Sequence, residues 1–212
     1  MIELHPVAQT PTVAYPREEL EEMSRRWLEA NRLAEETGDW VTYLGAMYTE
    51  DAYYRWNIGP NEEFIANGLE EIKKNAIGIQ MDGFQGWQYP YDRFVIDDKL
   101  GELVGFWRQR APITRPDGTP YEVAGCGGSW FKYGGDFKWS WQRDFFDLGN
   151  VFALLSELST VEGGLSAPVK KKIHTMARGQ KLAGHVPLRP GSGIAAKIKQ
   201  GASLAKIALL GK

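Results

Sequence analysis

The first part of the chain changes from helical to strand-like spacing of its hydrophobic positions. Pro16 is followed by four acidic residues within six positions, which suits the start of a helix. Apolar residues then recur at helical spacing as far as Gly38, and they form one stripe of Leu20, Met23, Trp27, Ala30 and Ala34. The pattern further predicts a helix over 40–47, an aromatic strand over 48–60 and a helix over 68–79.

Residues 86–148 have the pattern of β-strands. Hairpin-type turns at 97–101, 115–118 and 134–136 separate four strand-like segments, which are WQYPYDRFVID, ELVGFWRQRAPI, YEVAGCGGSWFKY and FKWSWQRDFFDL. Helices that are segregated from an antiparallel sheet indicate an α+β fold. We predict a curved antiparallel sheet wrapped around the N-terminal helices as a cone, with one open end for a ligand.

The C-terminal part differs from the rest in charge. Residues 160–212 contain ten Lys or Arg and a single acid, Glu162, whereas the whole chain has a net charge of −2. This asymmetry predicts an arm (1–16), a cone domain (17–158) and a basic, partly helical tail (159–212). Within the tail, residues 193–210 can form an amphipathic helix.

Three roles for the tail remain open. It can pack on another subunit or across the cone mouth, lie on an anionic membrane surface, or contact nucleic acid. Nucleic acid ranks last, because the basic residues are spread out and the body is acidic, and we expect no nucleic-acid partner.

The N-terminus does not have the pattern of a signal peptide, no apolar run reaches 18 residues, and Cys126 is the only cysteine. These features predict a cytoplasmic protein, either free or peripheral at a membrane.

The stretch WQRDFFDL, residues 141–148, carries the main candidate for chemistry. If Asp144 faces the interior, strand alternation places Gln142 and Phe146 beside it. Arg108 and Arg110 share one face of a neighbouring segment, and we expect them to converge on Asp144 and lower its pKa. The cluster would make Asp144 a base and leave one guanidinium for a substrate oxygen. The alternative is a structural Arg–Asp pair that ties two strands together.

Aromatic residues supply the remaining candidates. Tyr54 and Trp56 share a strand face, so Tyr54 can donate to a substrate oxygen while Trp56 forms an apolar wall, unless both are ordinary core. Further lining or core positions are Trp27, Trp87 and Trp130. We expect no metal and no cofactor, because no ligand spacing and no phosphate-binding glycine motif is present.

The order of these elements resembles that of the nuclear transport factor 2-like superfamily, and of SnoaL-like proteins in particular. The resemblance covers residues 18–158. It depends on Thr37-Gly38-Asp39-Trp40, Tyr48-Thr49-Glu50-Asp51-Ala52, Asn67-Gly68, the Pro116-Asp117-Gly118 turn and Trp141-Gln142-Arg143-Asp144-Phe145-Phe146-Asp147. It implies the cone fold, frequent homodimers and many functions, which include isomerases, dehydratases, epoxide hydrolases, cyclases and binding proteins.

Within the superfamily, the chain is distantly similar to limonene-epoxide-hydrolase-like members. Their Arg, second Asp and pocket Tyr fall on Arg108, Asp144 and Tyr54, whereas their other Asp falls on Arg110 and their Asn on Trp56. The signature is therefore incomplete.

Two other mechanisms of the superfamily match less well. The base of ketosteroid isomerases falls near Trp56 and their oxyanion-side Asp near Gly127, so neither is acidic here. Several dehydratases and a dehydrochlorinase of the superfamily use a His–Asp pair, but His5, His174 and His185 all lie outside the predicted cone. A histidine would take part only if the tail folded back over the mouth.

The sequence thus favours a cofactor-independent enzyme for a hydrophobic, oxygenated molecule of terpenoid, steroid or polyketide type. Asp144, Arg108, Arg110 and Tyr54 would act in isomerisation, dehydration, cyclisation or epoxide opening, and the protein would be a homodimer. The alternative is a non-catalytic module that binds a ligand or partner through the same cone. A third interpretation is a membrane-surface or scaffold protein that acts through its tail, with residues 193–210 as the membrane contact.

Overall fold

A computed structural model of the protein describes residues 15–58 and 62–188. Helix α1 (Arg17–Thr37) follows Pro16, and its apolar stripe is buried at Leu20, Met23 and Trp27. It ends at Gly38, whose φ of 72° is a left-handed conformation that glycine adopts without strain. Asp39 caps the N-terminus of helix α2 (Trp40–Gly45), because its carboxylate accepts a hydrogen bond from the Thr42 amide. The apolar stripe of α1 is thus its contact with the sheet.

The rest of the described chain forms one large sheet, one small sheet and three more helices. The third helix begins as α3 (Leu69–Glu71) and continues as a π-helical segment (Ile72–Ile79). The strands are β1 (Tyr48–Asn57), β2 (Glu62–Asn67), β3 (Tyr91–Asp97), β4 (Glu102–Trp107), β5 (Arg110–Thr114), β6 (Pro120–Glu122), β7 (Gly127–Tyr133), β8 (Trp139–Phe145) and β9 (His185–Pro187). Helices α4 (Leu148–Ser159) and α5 (Ala167–Ala177) precede β9.

The order of strands in the large sheet is β3-β4-β7-β8-β1-β2-β9, and β5 pairs with β6 alone. All neighbours in the large sheet are antiparallel except β1 and β8, which run parallel at its centre. The helices and the mostly antiparallel sheet confirm the predicted α+β cone, with an aromatic core between α1 and the sheet. The sheet differs from the predicted all-antiparallel pairing in one respect, because β1 enters it beside β8 as a parallel strand.

One predicted strand is divided in two. The segment 102–113 leaves the large sheet after Trp107 and resumes at Arg110 in the small sheet, where Arg110 pairs with Glu122. Arg108 and Arg110 therefore lie at a break between two sheets and not along one strand.

The described part of the predicted tail packs on the body. Strand β9 pairs with β2, and Val169 of α5 is buried in a second apolar cluster together with residues of α4. The predicted boundary at residue 158 therefore does not separate residues 159–188 from the body.

The arm up to residue 14 and the amphipathic helix predicted at 193–210 lie outside the described residues, so a membrane contact and the homodimer stay predictions. In the part of the chain that the structure describes, no helix is both long and apolar enough to cross a membrane.

Candidate active site

A cavity of about 250 Å³ lies between the concave face of the sheet and the helices. Its floor comes from strands β1, β7 and β8, and its roof from α4, α5 and the chain leading into β9. The walls are mostly aromatic and aliphatic, and include Trp27, Trp40, Trp56, Phe84, Trp107 and Phe146. Such a pocket suits a hydrophobic ligand with a few polar groups.

Asp144 is the only carboxylate in the cavity wall among the described residues. Strand alternation in β8 buries Gln142 and Asp144 on the concave side, while Phe145 is exposed on the other side. Gln142, Asp144 and Phe146 all line the cavity. The carboxylate is thus presented to a ligand from a rigid central strand.

Three neutral donors hold the Asp144 carboxylate. The Ser129 hydroxyl and the Gln142 amide donate to Oδ1 at 2.6 Å and 2.8 Å, and the Tyr54 hydroxyl donates to Oδ2. A carboxylate has about four lone-pair sites, so one acceptor position remains, on Oδ2. That position can take a proton from a ligand or from a water molecule.

A second set of hydrogen bonds supports these donors. The indole N–H of Trp107 donates to the Ser129 hydroxyl at 2.9 Å, and the Tyr48 hydroxyl donates to the Gln142 side-chain oxygen. Such outer contacts fix the rotamers of the donors and keep their protons directed at Asp144. Sequence reasoning missed Ser129, Tyr48 and Trp107. Tyr48 has the same strand parity as the predicted Tyr54, whereas Ser129 and Trp107 each precede a predicted residue, Trp130 or Arg108, that faces away from the cavity.

Burial raises the pKa of Asp144 above its ordinary value, and the three hydrogen bonds lower it by less. The expected lowering by arginines is therefore wrong. A raised pKa makes the carboxylate a stronger base once it is ionised, and a better match for proton transfer near neutral pH. Burial also raises the pKa of Tyr54 well above its usual value, and the adjacent Asp144 charge acts in the same direction. Tyr54 therefore stays a protonated donor.

The predicted convergence of Arg108 and Arg110 on Asp144 is not found. Arg108 pairs with Asp92 at 3.0 Å, and Arg110 pairs with Glu122 at 2.9 Å. The inward alternation of β4 passes through Trp107 and continues to Gln109, both of which line the cavity, so the two arginines face away from it.

The predicted aromatic lining is divided between the two faces. Trp27, Tyr54 and Trp56 line the cavity. Trp87 is buried in the second apolar cluster. Trp130 packs on Trp141 and donates to Glu102 on the convex side. Neither Trp87 nor Trp130 reaches the cavity wall.

One histidine enters the cavity against expectation. His185 lies in the wall because β9 folds back onto β2, with its Nε2 3.2 Å from the Gln80 amide nitrogen. Burial lowers the pKa of His185, so the ring is neutral at pH 7.

Lys172 of α5 also reaches the cavity wall, and burial lowers the pKa of its ammonium group to about 8. In the described part of the chain, no group of three His, Cys, Asp or Glu side chains is arranged to hold a metal ion.

No protein-family model matches the sequence, and no curated protein gives a significant match. Several solved structures have a similar fold. A protein from Jannaschia sp. CCS1 that is assigned as a SnoaL-like polyketide cyclase is 16% identical, with a TM-score of 0.49 over 66% of this chain and 92% of that chain. An NTF2-like protein from Anabaena variabilis is 20% identical, with a TM-score of 0.48 over 64% of this chain and 95% of that chain. An LEH-like epoxide hydrolase from M. tuberculosis is 18% identical, with a TM-score of 0.46 over 66% and 91% of the two chains. These similar structures include both the SnoaL-like and the nuclear transport factor 2-like proteins that the sequence resembles.

Proposed function

We propose that this protein is a cofactor-independent enzyme that performs acid/base chemistry on a hydrophobic, oxygenated small molecule. The observation that carries the proposal is the position of Asp144, a buried carboxylate at the floor of an apolar cavity with one acceptor site left over. Asp144 acts as the base, and Ser129, Gln142 and Tyr54 orient it. The substrate class is the terpenoid, steroid or polyketide type.

The chemistry begins with transfer of a proton to Oδ2 of Asp144. A proton taken from carbon beside a carbonyl leads to isomerisation, dehydration or cyclisation, and a proton taken from water leads to ring-opening hydrolysis of an epoxide. The protonated carboxyl then returns the proton to the product. Because the wall is apolar, the substrate displaces water and the carboxylate reacts as a poorly hydrated base.

The position of the arginines favours a second candidate function. With Arg108 and Arg110 paired on the outer face, no guanidinium of the described residues stands in the cavity wall to stabilise an oxyanion. A non-catalytic module that binds the same class of ligand fits this arrangement. In that case Asp144 would only accept a hydrogen bond from the ligand.

Proton exchange distinguishes the two functions without knowledge of the natural substrate. A panel of cyclic ketones is incubated with the protein in D₂O, and deuterium uptake beside the carbonyl is followed by NMR. Asp144→Asn is expected to lower the exchange rate about 10²–10⁴-fold while ketone affinity changes little. The matched control is Asp92→Asn, which removes a carboxylate that pairs with Arg108 on the outer face. Exchange that is equal in wild type and Asp144→Asn would support the binding module.

A further inference from the structure

A single row of residues crosses the concave face of the sheet. Asp144 of β8 is opposite Trp56 of β1, Trp56 is opposite Phe64 of β2, and Phe64 is opposite His185 of β9. Residues that are paired directly across strands project from the same face. Adjacent strands are about 4.8 Å apart, so three steps separate the backbones of Asp144 and His185 by about 14 Å along the sheet.

The two polar ends of this row are separated by an aromatic floor. Trp56 and Phe64 stack with their ring centroids 3.7 Å apart and their planes at 13°. Phe64 is completely buried, and Trp56 lines the cavity. Tyr54, the donor to Asp144, meets Trp56 edge-on at 5.3 Å. A flat apolar molecule can lie against Trp56, and Phe64 supports that ring from below.

The far end of the row is a second polar site. The His185 side chain is only 5% exposed, its Nε2 lies 3.2 Å from the Gln80 amide, and its Nδ1 lies 3.9 Å from Glu62. The contact between the two side chains engages Nε2 of His185, and the Gln80 carboxamide keeps one N–H and its oxygen free. The pair can therefore bind a hydroxyl or a carbonyl oxygen, with His185 fixing the carboxamide in place. Gly184 allows this placement, because a Cβ at that position would lie 2.4 Å from the Phe64 ring.

We propose that the cavity takes a flat, elongated apolar molecule with an oxygen at each end, one at Asp144 and the other held by His185 and Gln80. The inference rests on the proposed function in that Asp144 marks the reacting end. His185 then acts as a specificity residue, since a ligand with a single oxygen satisfies only one end of the row.

Two phenols that differ by one hydroxyl test this inference. Calorimetry compares 4-phenylphenol with 4,4′-biphenyldiol, which share a ring system and carry an oxygen at one end or at both. The wild type is expected to bind the diol about 2- to 12-fold more tightly, which is the contribution of one hydrogen bond. His185→Phe keeps a flat ring but removes both nitrogens, and the preference is expected to disappear. His174→Phe, a change at an exposed histidine of α5, is expected to retain it.

The same diol preference in His185→Phe and in the wild type would overturn the inference, and so would failure of both phenols to bind. A direct measurement on the wild-type protein covers the case in which the variant does not fold. The imidazole ¹⁵N shifts of His185 should move with the diol and not with 4-phenylphenol, and unmoved shifts would overturn the proposal. These readouts require no turnover. A diol preference that depends on His185, combined with unchanged proton exchange in Asp144→Asn, would therefore refute the catalysis and retain the two-ended cavity.

Discussion

Lys172 holds helix α5 over the cavity. Removal of its ammonium group tests whether α5 can open locally while the sheet stays folded. Its Nζ donates to the backbone oxygens of Gln80 at 2.8 Å and Asp82 at 2.6 Å, and lies 5.3 Å from the Phe84 ring centroid. Lys172→Met keeps an unbranched side chain of similar length and removes the ammonium. The change therefore breaks both hydrogen bonds while it preserves most of the apolar contact of α5.

The size of the effect follows from these contacts. A hydrogen bond from a charged donor contributes about 1.5–3 kcal/mol. Desolvation opposes this contribution, as the lowering of the pKa of Lys172 to about 8 indicates, so the two bonds together give a net value of about 2 kcal/mol. A loss of that size makes local opening of α5 about 30-fold more frequent.

Native-state hydrogen exchange measured by mass spectrometry provides the assay. Peptides from α5 should lose about 30-fold in protection in Lys172→Met, whereas peptides from β7 and β8 should keep theirs. The matched control is Lys171→Met, which makes the same change at an exposed neighbour. Unchanged exchange of α5 in Lys172→Met, or an equal change in Lys171→Met, would refute the reasoning and assign the roof to apolar contacts such as those of Val169.

Two further predictions concern the floor and β9. Because burial raises the pKa of Asp144, its contribution to stability is greatest below the carboxyl pKa of an unfolded chain, about 4, and declines as the pH rises through the folded pKa. As the pH rises from 4 to 7, the wild type should therefore lose stability in urea unfolding relative to Asp144→Asn. A difference in unfolding free energy that stays constant over this pH range would contradict the raised pKa of Asp144. Gly184→Ala should cost about 1–3 kcal/mol more than Gly179→Ala in urea, because both glycines have positive φ but only the Cβ at 184 meets Phe64. Equal unfolding midpoints for the two variants would show that β9 moves to accommodate the methyl group.

Local patterning in the sequence predicted the part of the cavity floor that β8 contributes. The alternation in β8 places Gln142 and Phe146 on the same face as Asp144, and the structure has all three in the wall. The same kind of argument gave the wrong face for Arg108, which was expected to point inward, because either Trp107 or Arg108 fits an interior that contains charged pairs. Two features make Arg108 face outward, namely the break in the strand after Trp107 and the carboxylates of Asp92 and Glu122. Neither feature is visible in the spacing of one segment.

The roof could not be predicted from local signals. His185 follows a glycine in a basic stretch, and nothing in its neighbourhood indicates a strand. Its position depends on pairing with Phe64, far away in the sequence, and on the space that Gly184 leaves for that ring. Nonlocal strand pairing of this kind has no periodicity to detect.

The parallel contact between β1 and β8 has a consequence for synthesis of the chain on the ribosome. β1 ends at Asn57, but its central neighbour begins only at Trp139, so a nascent chain must carry an unpaired β1 edge while the intervening residues are translated. The bond between Tyr54 and Asp144 forms after β8 has left the exit tunnel, and β9 arrives later still. The cavity is therefore enclosed only after β9 has been synthesised, and its apolar residues stay exposed to solvent until then.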